Sequence, residues 1–407
     1  MRGVVISVLA MLFIFSMFYR VSTAVIAPNL ISDLSLNAEM IGILGSAFFF
    51  SFALMQIPMG PLLDRIGPRV VITCFSLIGA VGAILFAHTH SYNGVLIARI
   101  LIGIGMAAML MGTYKVFTLA FPANAFSTLA GFFMSVGTFG NMLAASPLAY
   151  FAEHAGWRIT FFAAGGATAV LGILCFFILK SLPNVRNNTV TPDTKIVVSF
   201  LQSAKLIIGS LSFWQIGIVA FFRYGTFICL QGLWFGLYLI DAKRFTPINA
   251  GNILIMLAVG NIVGGPIAGR LSDLSVHGTK AITMAGLTLY CVSLFSLSGI
   301  WPIKHQAIFM MVSFFIGFFC SFGTMLSSHI KDLFPLNIAA TAMAWLNFFS
   351  MMGSAVLMSI FGKLMELYPR SDHGYPPEAY EFCFLICSLS MAVSLVFYAF
   401  AKKGRTV

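Results

Sequence analysis

Gly60-Pro61-Leu62-Leu63-Asp64-Arg65-Ile66-Gly67-Pro68-Arg69 is a short charged turn between two long apolar runs, residues 38–59 and 69–88. Each run holds about twenty residues, enough for a helix to cross a hydrocarbon core of about 30 Å. A turn this short joins antiparallel neighbours, so the stretch predicts a hairpin of two membrane-crossing helices. The pattern continues on both sides. Further apolar runs lie at 4–30, 93–119, 127–151, 157–180, 211–240, 247–268, 280–300, 306–330, 337–362 and 379–401, giving twelve expected spans. A sheet barrel would show short alternating segments instead, and none are present. Hydrophobic residues make up 59% of the chain and charged residues 9%, with mean hydropathy +0.97. A soluble domain carries about a quarter charged residues, so a soluble reading is excluded.

The charged turn has a partial copy. Gly269-Arg270-Leu271-Ser272-Asp273 stands between the eighth and ninth spans, where a second half would place it. Phe121-Pro122-Ala123-Asn124 before the fifth span answers to Phe334-Pro335-Leu336-Asn337 before the eleventh. Phe18-Tyr19-Arg20-Val21-Ser22-Thr23 in the first span answers to Phe221-Phe222-Arg223-Tyr224-Gly225-Thr226 in the seventh. All three offsets fall between about 203 and 213 residues, which predicts a duplicated six-helix unit. The one long polar segment, 181–208, begins Ser181-Leu182-Pro183-Asn184 and carries Arg186, Lys195 and Lys205. It divides the spans six and six. The expected architecture is all-α, with two pseudo-symmetric six-helix bundles at 1–180 and 209–407 and a cytoplasmic linker at 181–208. Parallel duplicated halves rock about a shared midplane site.

A net charge of +11 could suggest a nucleic-acid partner. Its distribution points elsewhere. With the N-terminus inside, Arg2, Arg65, Arg69, Lys180, Arg270, Lys280, Lys331 and the Lys402-Lys403 pair fall in cytoplasmic segments, whereas Lys243 and Arg244 fall outside. This is the positive-inside bias, and it predicts a bacterial inner-membrane protein with both termini cytoplasmic. The first span follows a short basic start without a small-residue cleavage site, so a retained helix is expected rather than a signal peptide. The seven cysteines lie almost wholly within spans and lack metal-ligand spacing, which reads as packing. The chain contains no GxxxxGK[ST] loop, no HExxH and no Cys/His cluster, and no Ser/His/Asp set falls at one depth. An enzyme is not expected, nor a metal or cofactor. The pathway needs no second copy, so a monomer in the lipid bilayer is the expectation.

Arg20 and Arg223 carry the functional signal. An arginine at mid-bilayer depth costs at least about 2.5–3.5 kcal/mol and normally faces a water-filled cavity or a partner. The twelve acidic residues all lie at or near helix ends, so none reaches that depth. Two cations at equivalent positions are what an anion site requires, because a guanidinium offers paired planar donors to a carboxylate or phosphate. The two would grip opposite sides of the ligand, which makes closure depend on substrate. Thr23 and Thr226 each follow an arginine by three residues and share its helix face. Their hydroxyls serve either the ligand or a carbonyl one turn back. Gln231, two turns beyond Arg223, ranks first among the intramembrane amides; Gln56, Asn141, Asn261 and Asn347 suit helix-to-helix bonding equally. Lys115, toward the cytoplasmic end of the fourth span, either extends the positive path or snorkels. His329, low on the tenth span, is the best placed titratable group. Without a mid-depth carboxylate, anion exchange or proton movement with the substrate is expected.

The motif set resembles the major facilitator superfamily. The turn at Gly60–Arg69 resembles that superfamily's signature between helices two and three, Arg99 with Gly103 and Gly105 looks like its helix-four pattern, and Gly156-Trp157-Arg158 resembles its entry to helix six. The resemblance covers the whole chain. Within the superfamily the sequence is most similar to the organophosphate:phosphate antiporter branch, whose members hold a phosphate with one arginine on helix one and another on helix seven. Arg20, with Pro28 at the family spacing, and Arg223, inside Arg-Tyr-Gly, match those positions. Gln56 stands where the branch often has lysine, and no histidine occurs around Val136-Gly137-Thr138. The resemblance therefore implies a small organic anion, carboxylate or phosphate ester, moved with a counter-anion or proton. It also implies that Asp64, Arg65, Arg69, Asp273 and Arg99 belong to the gate, with Asp64 accepting from a helix N-terminus. The other readings are a drug or siderophore exporter of the same superfamily, and a transporter-like anion sensor without flux.

Overall fold

The computed structural model describes residues 2–122, 125–181, 205–274, 278–301, 303, 305–370 and 374–402. Residues 182–204 of the expected linker lie outside the described residues. Two compact units divide the chain, Met1–Asp193 and Thr194–Val407.

The first unit contains α1 (Arg2–Val21), α2 (Thr23–Leu34), α3 (Ala38–Arg65), α4 (Pro68–His88), α5 (Tyr92–Met106), α6 (Ala108–Ala120), α7 (Phe126–Leu143), α8 (Ser146–His154) and α9 (Trp157–Lys180). Three of its six spans are broken: the first at Ser22, the fourth at Ala107, the fifth at 144–145. The second unit contains α10 (Leu211–Cys229), α11 (Pro247–Leu274), α12 (Gly278–Phe295), α13 (Gln306–Cys320), α14 (Met325–Leu333), α15 (Leu336–Met365) and α16 (Pro377–Ala399). Beyond α10 the seventh span continues through two π-helical turns, Leu230–Trp234 and Tyr238–Ala242, and the tenth passes from α13 to α14 through a 3₁₀ turn, Ser321–Thr324. Eleven helices among the described residues are long and apolar enough to cross a membrane, and the shorter Thr279–Phe295 holds the ninth place. The twelve spans read from hydropathy are thus all present as helices. The first, fourth, fifth and tenth differ in being two helices rather than one.

Local chemistry sets the ends. Asn37 caps α3 by accepting from Met40 N at 2.8 Å, and Ser91 caps α5 by accepting from Gly94 N at 3.2 Å, each satisfying an orphan donor of the first turn. Pro68 and Pro377 occupy first-turn positions, where the missing N–H costs nothing.

Both units cross their first span against their fifth through a glycine. A Cβ on Gly140 would collide with the carbonyl oxygen of Ile14, and one on Gly353 with that of Phe221. Backbone meets backbone at these points, close to the level of the two arginines. Each unit also straps its first span to its sixth at one end. Asp33 accepts from Trp157 Nε1 at 3.0 Å and from Arg158, whose Nη2 lies 3.4 Å from His90 Nδ1. In the second unit Tyr380 donates to Asp241 at 3.0 Å, while Glu381 receives Tyr238 at 3.1 Å and Lys243 at 3.2 Å. Partial burial pushes the Asp33 carboxyl up, but the bonds from Arg158 and Trp157 outweigh it and leave it lowered.

Gly353→Leu is expected to destabilise the detergent-purified protein by about 1–3 kcal/mol through overpacking. Gly217→Leu, on the same pair of helices but with open space around its Cβ, should stay within about 0.5 kcal/mol; thermal unfolding compares them. Asp33→Asn should cost at most about 1 kcal/mol at pH 7, because the pair is partly exposed. A lowered folded pKa stabilises fully above the unfolded value of 3.8 and fades as pH falls through the folded one. The melting temperatures of Asp33→Asn and wild type should therefore converge on acidification below that value.

Candidate functional site

In the first unit the site forms at the break in the first span. Arg20 lies in the last turn of α1, is 6% exposed, and sets its guanidinium 4.9 Å from the centre of the Phe52 ring. The helix is interrupted two residues later at Ser22, whose Oγ donates to the Tyr19 carbonyl at 3.2 Å. The same carbonyl accepts from Arg99 Nη1 at 2.9 Å. Arg99 is fully buried, 5.3 Å from the Phe48 ring, and Phe48 stacks on Phe52 one turn along α3. Its Nε and Nη2 meet no acceptor among the described residues. The peptide group leading into Arg20 is therefore held by a second guanidinium. The structure brings Arg99 to Tyr19 rather than to the turn residues with which the gate reading grouped it. Mid-span depth was the available signal, since the rule that marked Arg20 applies to Arg99 as well.

The other expected residues separate into several settings. Thr23 is buried and its hydroxyl has no hydrogen-bond partner among the described residues. Thr226 takes the backbone alternative, lying 3.2 Å from the Arg223 carbonyl, and also meets the Tyr290 hydroxyl at 2.8 Å. Gln56 donates to the Ala107 carbonyl at 3.4 Å, and Ser16 to the Met106 carbonyl at 3.4 Å. The break in the fourth span thus feeds two side chains from the first and second. Lys115 is paired with Asp64 at 2.7 Å, which joins a residue placed in the path to one placed in the gate. Arg65 is exposed, and Arg69 lies over the Phe176 ring at 3.8 Å. Asp273 falls in the last turn of α11; its side chain lies outside the described residues.

In the second unit Arg223 is half-buried on α10. Its Nη1 lies 3.3 Å from the Cys320 carbonyl and 3.8 Å from the Cys320 sulfur, and its carbon centre 5.5 Å from the Tyr224 ring. Tyr290 reaches the Arg223 carbonyl at 3.4 Å. Cys320 and Tyr290 escaped the sequence reading: one acts through its backbone, the other from a helix with no motif. Gln231 sits in the first π-helical turn, 4% exposed, with an amide oxygen that has no donor among the described residues. A π-helical turn widens the helix locally and recurs at functional sites. His329 is buried, with Nδ1 at 2.8 Å from the Tyr398 hydroxyl and Nε2 at 2.9 Å from the Lys402 carbonyl. Both ring nitrogens are used in packing the tenth span against the end of the twelfth.

Such an arrangement can hold charge of one sign. Carbonyls satisfy donors of the Arg99 and Arg223 guanidinium groups without cancelling their charge, and the Thr23 hydroxyl and Gln231 amide oxygen have no hydrogen-bond partner among the described residues. The chain is 24% identical over 383 residues to a probable sulfoacetate transporter of Cupriavidus necator, covering 90% of this chain and 87% of that one. It is 27% identical over 319 residues to a probable galactarate/D-glucarate transporter of Escherichia coli K12, covering 69% and 68%. A probable hexose phosphate transport protein of Chlamydia muridarum is 21% identical, covering 95% and 88%. Among solved structures, an inward-facing, occupied bacterial homologue of the human lysosomal transporter Spinster superposes with a TM-score of 0.77 at 17% identity, over 98% of this chain and 96% of that one. The sequence profile of the Major Facilitator Superfamily matches residues 8–274 and 216–406, and the chain, a multi-pass membrane transporter and not an enzyme, belongs to that superfamily.

Proposed function

We propose that this protein moves a small organic anion across a bacterial inner membrane by alternating access, with Arg20 of the first unit and Arg223 of the second as the anion ligands. The observation that carries the reading is the setting of Arg223. Among the described residues its hydrogen bonds go to a backbone carbonyl and a thiol, so its charge is not cancelled by a carboxylate there. Thr23 and Gln231 would add neutral bonds from the groups they leave open. The relatives' names cover sulfonate, sugar diacid and phosphate ester, and the chemistry they share is a terminal oxyanion that fits a guanidinium fork. Gln56 in place of a cationic residue, bonded to a carbonyl, favours a carboxylate over a dianionic phosphate. Both termini are placed in the cytoplasm by the positive-inside bias. The absence of a carboxylate at mid-depth supports exchange, or a proton carried with the substrate.

Purified protein should be thermally stabilised by one class in a panel of carboxylates, sulfonates, phosphate esters, sugars and cationic drugs. Arg20→Gln and Arg223→Gln should each weaken that binding about 10- to 100-fold, the worth of a lost charge-assisted bond. Stabilisation by neutral or cationic compounds that survives both substitutions would sink the anion reading. Asp64 is read as a gate residue whose ion pair with Lys115 belongs to one conformation of the cycle. Asp64→Asn should then lower the turnover rate in proteoliposomes more than it lowers anion affinity; an equal loss of both would count against gating.

A further inference from the structure

We propose that the 3₁₀ turn of the tenth span is a seat for the Arg223 side chain, in which the Cys320 carbonyl and the bare backbone of Gly323 fix the guanidinium end-on to its ligand. The inference rests on the reading of Arg223 as an anion ligand and names two positioning residues for it. Three observations meet at this point. The helix changes pitch here, α13 ending at Cys320 and the 3₁₀ turn running Ser321–Thr324. At the change of pitch the Cys320 carbonyl accepts from Arg223 Nη1 at 3.3 Å. Three residues on, a Cβ at Gly323 would lie 2.5 Å from Arg223 Nε, 2.7 Å from Cδ and 3.0 Å from Cζ. A Cβ there would displace the outer half of the arginine side chain, so Arg223 keeps this position only beside a glycine.

The seat decides which edge of the guanidinium a ligand can reach. Its planar group presents two forks: a side-on fork that uses Nε with one terminal nitrogen, and an end-on fork that uses both terminal nitrogens. Nε is buried and faces the Gly323 backbone, which closes the side-on fork. The terminal nitrogens remain, Nη1 shared with Cys320, and their outer edge is the end-on fork. The anchor at the other end is equally specific. Tyr290 and Thr226 meet the Arg223 carbonyl, which fixes the backbone from which the side chain departs. Held by two hydroxyls at its backbone and by a carbonyl at its tip, the arginine is pre-organised, and a displacement of about 1 Å would cost binding far more than it costs the fold. The Cys320 thiol is a bystander in this scheme, since the carbonyl supplies the shorter contact.

The test is a double-mutant cycle on the full chain in detergent: wild type, Gly323→Ala, Arg223→Ala and the double variant, read by thermal unfolding. Gly323→Ala should lower the melting temperature of the wild type and leave that of Arg223→Ala unchanged or higher, because removing the arginine removes the collision. Should Gly323→Ala alone fail to fold, recovery of folded protein in the double variant supports the seat. Equal shifts in both backgrounds would overturn it. The functional arm uses D-glucarate, sulfoacetate and glucose 6-phosphate as probes in proteoliposomes. For the probe transported, Gly323→Ala should raise KM about tenfold with kcat within about twofold; an unchanged KM would overturn the seat. Coupling in the unfolding cycle, combined with anion binding that ignores Arg223→Ala, would refute the anion reading while leaving the packing of Arg223 on Gly323 in place.

Discussion

A polar group inside a membrane-spanning bundle cannot turn to water, so each donor it buries must find an acceptor within the protein. Four of this chain's interior donors reach across to a backbone carbonyl where another helix loses its regularity. Arg99 bonds the Tyr19 carbonyl beside the break in the first span, and Arg223 bonds the Cys320 carbonyl at the pitch change in the tenth. Ser16 and Gln56 bond the carbonyls of Met106 and Ala107 at the break in the fourth. Carbonyls satisfy a guanidinium without neutralising it. Carboxylates would have satisfied the same donors and cancelled the charge on which the proposed anion binding depends.

The duplicated units share this device and apply it differently. Met106 closes the first half of the broken fourth helix in one unit, and Cys320 closes the first half of its counterpart in the other. The first of these carbonyls receives a serine hydroxyl, the second the arginine itself. Arg20, in turn, rests on the Phe52 ring, while the peptide group before it is held by Arg99. The straps at the ends show the same divergence. Asp33 is held by Trp157 and Arg158, and Asp241 by Tyr380. In both cases an acid at the end of the first helix is tied to the start of the last. Repetition preserved where a polar group sits more faithfully than which partner satisfies it.

How far the site could be read in advance follows from the same physics. Arg20, Arg223 and Gln231 stood out because charge and amide groups are rare at their depth. Thr23 and Thr226 looked alike in sequence, yet one hydroxyl is left open and the other is consumed by Arg223's own carbonyl and by Tyr290. Lys115 and Asp64, fifty-one residues apart, were given separate duties and form one ion pair. His329 stood out as the best placed titratable group, and both its ring nitrogens are taken up by Tyr398 and Lys402. In every such case the missing information was the neighbour on another helix.

The sequence by itself determined that the chain crosses the membrane as twelve helices in two related sets, and that each set carries an arginine where hydrocarbon would reject it. Both conclusions rest on the cost of placing charge and bare backbone in an apolar medium, a cost that composition and periodicity record directly. The tertiary structure decided where helices break, which carbonyls those breaks present, and why Gly323 stands against Arg223. Those features come from contacts between helices far apart in the chain, and a backbone carbonyl bears no residue-specific mark by which a sequence could announce its use.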